Sequence, residues 1–288
     1  METILLAGAT GYLGKHILKE LTLWGIPTIA LTRRLPGIDD VNSESVQVAI
    51  ADVTRPETLT GLAKEVDTVI STVGITRQRD GLSYMDVDYR ANMNLLREAQ
   101  RSQVRKFIYI SVINGSTHRH LALTSAKEKF VDELKESGLD YTIIRPNGFY
   151  SDMKEVLMMA RRGKIYLFGN GEYKLNPIHG ADLAEICVRS ISEKSKEITV
   201  GGPDILTHNE IAEMAFTALG KEPKISYLPD WTRRAIIAGF RIFTSAKTYG
   251  PVEFMLTGLG QDNMAPRYGS HRLQHFFNQN ATLKQNHK

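Results

Sequence analysis

Three glycines at spacing three and three sit almost at the start of the chain, in Gly8-Ala9-Thr10-Gly11-Tyr12-Leu13-Gly14. They follow the apolar run Thr3–Ala7 and precede an amphipathic helical pattern that starts at Gly14 and runs to Trp24. A strand, a tight glycine turn and a helix in that order restrict the fold sharply. The first glycine permits the turn, the second admits close approach of a ligand, and the third lets helix and strand pack. The free N–H groups and the positive end of the helix then suit a pyrophosphate.

The rest of the first half repeats the alternation. Short Ile/Val/Leu-rich runs at Thr28–Thr32, Val46–Ala51, Thr68–Val73, Phe107–Val112 and Tyr141–Arg145 read as strands covered on both faces. Helical patterns lie between them, at Pro56–Lys64, Tyr84–Ser102 and Ser125–Ser137. This order predicts an α/β fold, a Rossmann-type doubly wound parallel sheet whose ligand crevice lies beyond the carboxyl ends of the strands. The pattern changes near residue 147. A helix at Met153–Arg162, a return to the sheet at Ala181–Ser192 and Ile198–Val200, and a helix near Asn209–Leu219 follow. The expected organisation is a nucleotide-binding domain over 1–200 and a smaller C-terminal substrate lobe over 201–288, to which 147–176 also contributes. The polar tail Asn278–Lys288 reads as frayed.

The second strand ends in Arg33-Arg34, where a carboxylate usually holds a free ribose 2′-hydroxyl. Guanidinium groups match a 2′-phosphate instead, so the expected cofactor is NADP(H). The plain alternative is a solvated basic turn. Asp39 and Asp40 come too late to serve the ribose.

Composition narrows the function classes. There are 36 basic and 32 acidic residues, a formal charge of +4, which gives no basis for nucleic-acid binding. The single Cys187 cannot form an internal disulfide and reads as a small core residue. No signal-like leader and no apolar span of membrane length are read, so the default expectation is a cytoplasmic monomer or homodimer. His118 and His120 flank Arg119 without a third ligand nearby, so no metal site is assigned. The segment Trp231–Phe243 is apolar with basic flecks. Its readings are a lobe helix, a partner-binding helix, or a peripheral contact with an anionic membrane.

The chain resembles the short-chain dehydrogenase/reductase superfamily, in its atypical, NmrA-like branch of divinyl-chlorophyllide-reductase-like and isoflavone-reductase-like proteins. The resemblance is carried by Gly8–Gly14, Ala51-Asp52-Val53, Val66–Ser71, Val87–Asn92, Phe107–Ser111, Lys127, Arg145-Pro146 and Ile178–Ala184, and spans roughly residues 1–200. Beyond it, Ala265–Gly269 is weakly similar. It implies that Asp52 and Val53 meet the adenine, and that Ser71, Thr72, Val73 and Gly74 line the adenosine ribose. It further implies that Ser111 and Val112 face the nicotinamide half, that Lys127 bonds the nicotinamide ribose, and that Pro146, Asn147, Gly148 and Phe149 close over the nicotinamide ring. Taken on spacing alone, Lys127 would be a solvated helix lysine.

One position departs from the superfamily. The tyrosine that many members place four residues before the lysine is Leu123 here, and leucine cannot transfer a proton. Candidate catalytic residues are therefore Lys127, whose pKa would fall beside a cationic nicotinamide, Tyr150 and Ser111, with Tyr109 set aside as core. The function expected is NADP(H)-dependent reduction of an apolar small molecule under Phe149, Tyr150 and the Met153, Met158, Met159 face, which ordinary core packing explains equally well. The alternatives are a non-catalytic NADP(H)-binding redox sensor and a membrane-associated assembly factor.

Overall fold

The computed structural model describes residues 2–34, 44–75 and 81–282, with backbone alone at 246 and 247. Eleven strands are numbered in chain order: β1 Ile4–Ala7, β2 Thr28–Thr32, β3 Val46–Ile50, β4 Thr68–Ser71, β5 Lys106–Ile110, β6 Asp140–Pro146, β7 Ile165–Phe168, β8 Lys174–Leu175, β9 Glu197–Val200, β10 Leu206–Thr207 and β11 Ile225–Leu228. The helices are α1 Tyr12–Leu23, α2 Asn92–Arg101, α3 Ala122–Glu136, α4 Tyr150–Arg161, α5 Gly180–Arg189, α6 His208–Ala218, α7 Asp230–Phe243, α8 Ala246–Gly258 and α9 Leu273–Thr282.

A seven-stranded sheet has the order β3-β2-β1-β4-β5-β6-β9. The pairs from β3 to β6 are all parallel, with Leu5 opposite Ile29 on one side and Val69 on the other. This is a Rossmann-type fold. Strands β1, β4 and β5 at the centre are buried throughout, which is why β1 and β4 lack polar alternation, whereas β3 at the edge exposes Val48 and Ile50. The helix at α1 turns Leu13, Ile17, Leu18 and Leu21 inward at helical spacing.

The chain divides into two compact units, Met1–Arg145 with Leu183–Ile198, and Pro146–Asp182 with Thr199–Lys288. The first has its core between the sheet and its helices, around Leu95, Phe107, Tyr109 and Phe130. Cys187 is fully buried, as expected. The second has its own core, around Leu157, Ile165, Phe216 and Phe277. Within it β7 and β11 form a parallel pair, and Thr207 and Glu210 close a capping box on α6.

Several local expectations are corrected. Residues 56–64 form only a short 3-10 turn at Pro56–Leu59, which Gly61 at φ +81° follows. The helix expected from Tyr84 begins as a wider π-type turn, Met85–Ala91, and becomes regular at Asn92. The tail expected to fray is helical as far as Thr282, because Phe276, Phe277 and Ala281 pack into the second core.

Candidate functional site

Gly8, Gly11 and Gly14 have different reasons to be glycine. Gly8 has φ +85°, and a Cβ there would lie 2.3 Å from Thr72 Oγ1. A Cβ on Gly14 would lie 2.0 Å from the Gly8 carbonyl oxygen. Both are demanded by the loop's own packing. Gly11 caps α1 in extended conformation, φ −73°, and a Cβ there would meet only the Gly8 oxygen, at 3.2 Å. The fold presses on position 11 less than on Gly8 or Gly14, since the Gly8 carbonyl would have to give by only a few tenths of an ångström. Glycine there suits an outside group that must approach the backbone at the positive end of α1.

The loop is held from β4. Thr72 donates its backbone N–H to the Ala7 carbonyl at 3.0 Å, and its hydroxyl to the Ala7 and Gly8 carbonyls at 3.2 and 3.3 Å. Thr72 therefore shapes the glycine turn. Ser71 is likewise engaged, donating to Asn92 Oδ1 at 2.6 Å in a buried contact. Val73 is buried, so Gly74 is the exposed backbone after β4. Thr10 and Tyr12 stand at the loop's outer side, with Leu13 turned into the core.

Arg33 and Arg34 are both exposed immediately after β2. Asp52, after β3, accepts from the Thr54 N–H at 3.0 Å and hydroxyl at 2.7 Å. Partial burial works against its charge, but the Thr54 hydrogen bonds, Arg33 and Arg55 prevail and hold its pKa below the usual carboxylate value. Val53 is half-buried, and its carbonyl accepts from Asn94. Asp39 and Asp40 lie outside the described residues.

Lys127 leaves α3 to donate to the Tyr109 hydroxyl at 3.4 Å and the Ile110 carbonyl at 3.3 Å. Its ammonium also lies 3.1 Å from Asp88 Oδ1. A Cβ on Gly74 would sit 2.7 Å from that oxygen and 3.1 Å from Lys127 Nζ, so the pair lies directly beneath the Gly74 backbone. Burial disfavours the ammonium, yet Tyr109 and Asp88 outweigh it and hold the Lys127 pKa above the ordinary lysine value. The fall expected beside a cationic nicotinamide would have to work against these groups. Asp88 was not singled out from sequence as a site residue. Its only signal was its place in the Val87–Asn92 segment.

A family model described as NAD(P)H-binding matches residues 8–194. The chain belongs to the NAD(P)H-binding family. It falls in the atypical short-chain dehydrogenase/reductase group of that family. It is 30% identical to the chloroplastic divinyl chlorophyllide a 8-vinyl-reductase of Zea mays, over 96% of this chain and 78% of that protein. It is 24% identical to the photosystem II assembly factor Ycf39 of Synechocystis, over 84% and 74%. Among solved structures it resembles an NADPH-dependent quinone oxidoreductase from Escherichia coli complexed with NADPH, with a TM-score of 0.73 and 17% identity over 96% of this chain and 99% of that one. That last likeness concerns the fold.

The remaining residues expected at a family site lie after β5 and in the second unit. The Ser111 hydroxyl is buried and donates to Glu128 at 3.2 Å, while Arg145 approaches it at 3.3 Å. Val112 follows it, half-buried. Pro146, Asn147, Gly148, Phe149 and Tyr150 belong to the second unit. There Asn147 donates to Asn176 at 2.9 Å and to the Asn263 carbonyl at 2.6 Å, and Asn176 bonds Gly202 and Ala265. This amide network ties the Asn147–Phe149 turn to the Ala265–Gly269 segment. Tyr150 is buried, and its hydroxyl donates to the His271 carbonyl at 2.7 Å, which makes it a packing residue of that unit. Met153 and Met159 also pack against the second core. His179 Nδ1 accepts from the Ala181 N–H and its ring stacks on His271 at 4.2 Å. No helix among the described residues is long and apolar enough to cross a membrane, and no three ligand-type side chains among them form a metal site.

Proposed function

We propose that the protein is a cytoplasmic NADP(H)-dependent reductase of an apolar small molecule, with conjugated and cyclic acceptors the first class to try. Gly11 carries the reading. It is the glycine of the loop that the fold constrains least, placed at the N-terminus of α1 where a pyrophosphate would be held. When bound, NADPH supplies the hydride. The chain's own residues bind and orient. Arg33 and Arg34 take the 2′-phosphate and Asp52 and Val53 the adenine side, and Lys127 holds the nicotinamide ribose; Gly74, expected at the adenosine ribose, is reassigned to the nicotinamide ribose because its backbone lies over Lys127 and Asp88. Of the three catalytic candidates, Lys127 is the one retained. Ser111 and Tyr150 have hydroxyls engaged within the protein, and both act through position. Residues 1–200 form the cofactor domain in this reading. The stretch 147–176 and residues 201–288 form the substrate lobe, with Phe149 facing the acceptor.

The test is to mix the protein with NADPH and a panel of quinones, enones and aldehydes, and follow the absorbance of the reduced cofactor. Turnover of one acceptor class is expected. A second reading, a non-catalytic NADP(H)-binding sensor or assembly factor, is favoured by Leu123 and by the assembly-factor relative. Cofactor binding with no oxidation by any acceptor would select it.

A further inference from the structure

We propose that Asp88 is the positioning residue of Lys127: its buried carboxylate holds the ammonium beneath the Gly74 backbone, where the nicotinamide ribose binds. The inference rests on the cofactor reading above. Asp88 is fully buried, and the Ile75 N–H donates to its Oδ2 at 3.1 Å, leaving Oδ1 to face Lys127. The contact is an ion pair without hydrogen-bond alignment, since Oδ1 has no hydrogen-bond partner among the described residues.

The turn that carries Asp88 is built to aim it. Asn92 donates to the carbonyls of Val73, Val87 and Asp88, and accepts from Ser71, so the π-type turn is locked to the end of β4. The fold also keeps Gly74 free of a side chain that would strike both members of the pair. A buried ion pair contributes little to stability, because desolvation offsets most of the attraction. Placing an imperfectly aligned one beneath exposed backbone at a strand end suits a ligand more than the core.

The charge of Lys127 gives a readout that a merely structural pair would not move. The groups facing it are Asp88 and Tyr84 from the turn and Tyr109 from β5. Glu128, its neighbour on α3, is engaged by Arg145. Burial pushes the Tyr84 and Tyr109 hydroxyls up, Tyr109 to about 12, so both stay neutral; burial also pushes the Asp88 carboxyl up, against which Lys127 and the Ile75 N–H work. Replacing the Asp88 charge removes one of the two groups that hold the ammonium against burial, and the lysine pKa falls. The ammonium is then lost as pH rises, and with it the contact to the ribose.

The experiment is a pH series of NADPH titrations between about pH 7 and 10. For wild-type protein we expect affinity to change little. For Asp88→Asn we expect on the order of tenfold additional weakening across that range, and Asp88→Glu should restore part of the flat profile. Gly74→Ala keeps every charged group but forces the pair apart, so it should show the same pH-dependent loss even if Asp88→Asn folds poorly. Asp88→Asn and Gly74→Ala profiles as flat as wild type would overturn the assignment of Asp88 while leaving the cofactor reading intact. A wild-type protein that binds neither NADPH nor NADH would overturn the cofactor reading itself, and this inference with it.

Discussion

Lys127 and Glu128 are adjacent on α3, and each buries a charge against an opposite one, yet the two pairs are built differently. Arg145 grips Glu128 with both terminal nitrogens, at 2.5 and 3.1 Å, and Ser111 adds a third bond. Arg145 is anchored again by Glu197 at 3.0 Å. Every lone pair that matters is answered, and the planar fork fits the carboxylate. Lys127 meets Asp88 at a similar distance without hydrogen-bond alignment, next to a Tyr84 hydroxyl that has no partner among the described residues. Consecutive residues of one helix thus serve two ends. Glu128 closes the joint between β5, α3 and β6, while Lys127 is held by Asp88, Tyr109 and the Ile110 carbonyl beside the exposed Gly74 backbone.

The comparison predicts its own largest effect. Glu128→Gln keeps the shape but removes the charge that answers a buried guanidinium. Breaking such a pair costs about 3–5 kcal/mol, and about 3 kcal/mol is expected here because Glu197 still holds Arg145. Urea unfolding would show it as a lower midpoint with an unchanged slope. A loss under about 1 kcal/mol would mean that Glu128 is no more structural than its neighbour.

A smaller effect sharpens the ligand-facing side. Arg33→Ala with Arg34→Ala should leave stability nearly unchanged, since both side chains are exposed. It should remove the preference for NADPH over NADH, on the order of 1.5–3 kcal/mol. Parallel titrations with both cofactors decide it. Equal affinities already in the wild-type protein would remove Arg33 and Arg34 from the site.

Sequence reasoning reached the sheet and the glycine loop because both are local patterns. Fully apolar runs such as Ile4–Ala7, and glycines at fixed offsets, announce themselves within a few residues. It did not reach the partners. Asp88 lies far from Lys127 in sequence, and only the π-type turn at Met85–Ala91 and the lock from Asn92 bring them together. Tyr150 looked like a free hydroxyl because nothing near it in sequence reveals the His271 carbonyl. Likewise nothing near Ser111 in sequence reveals its buried partners, Glu128 and Arg145, which sit on other elements. The β7–β11 pair escaped for a similar reason. Two four-residue strands, separated by α5, β9 and α6, carry no local sign of pairing. The helix α8, which carries Pro251 within it, was not expected from the sequence.

The central claim is that the loop after β1 holds a dinucleotide through Gly11, and a calorimetric titration of NADPH into wild-type protein and Gly11→Val tests it most directly. Extended backbone at position 11 accepts a side chain, and its Cβ would meet only the Gly8 carbonyl, at 3.2 Å. The account therefore predicts saturable binding by wild type, and loss of binding by the variant with its circular dichroism spectrum and unfolding midpoint nearly unchanged. A folded Gly11→Val that binds NADPH as tightly as wild type would contradict it, and would leave the loop as a turn that serves the fold alone.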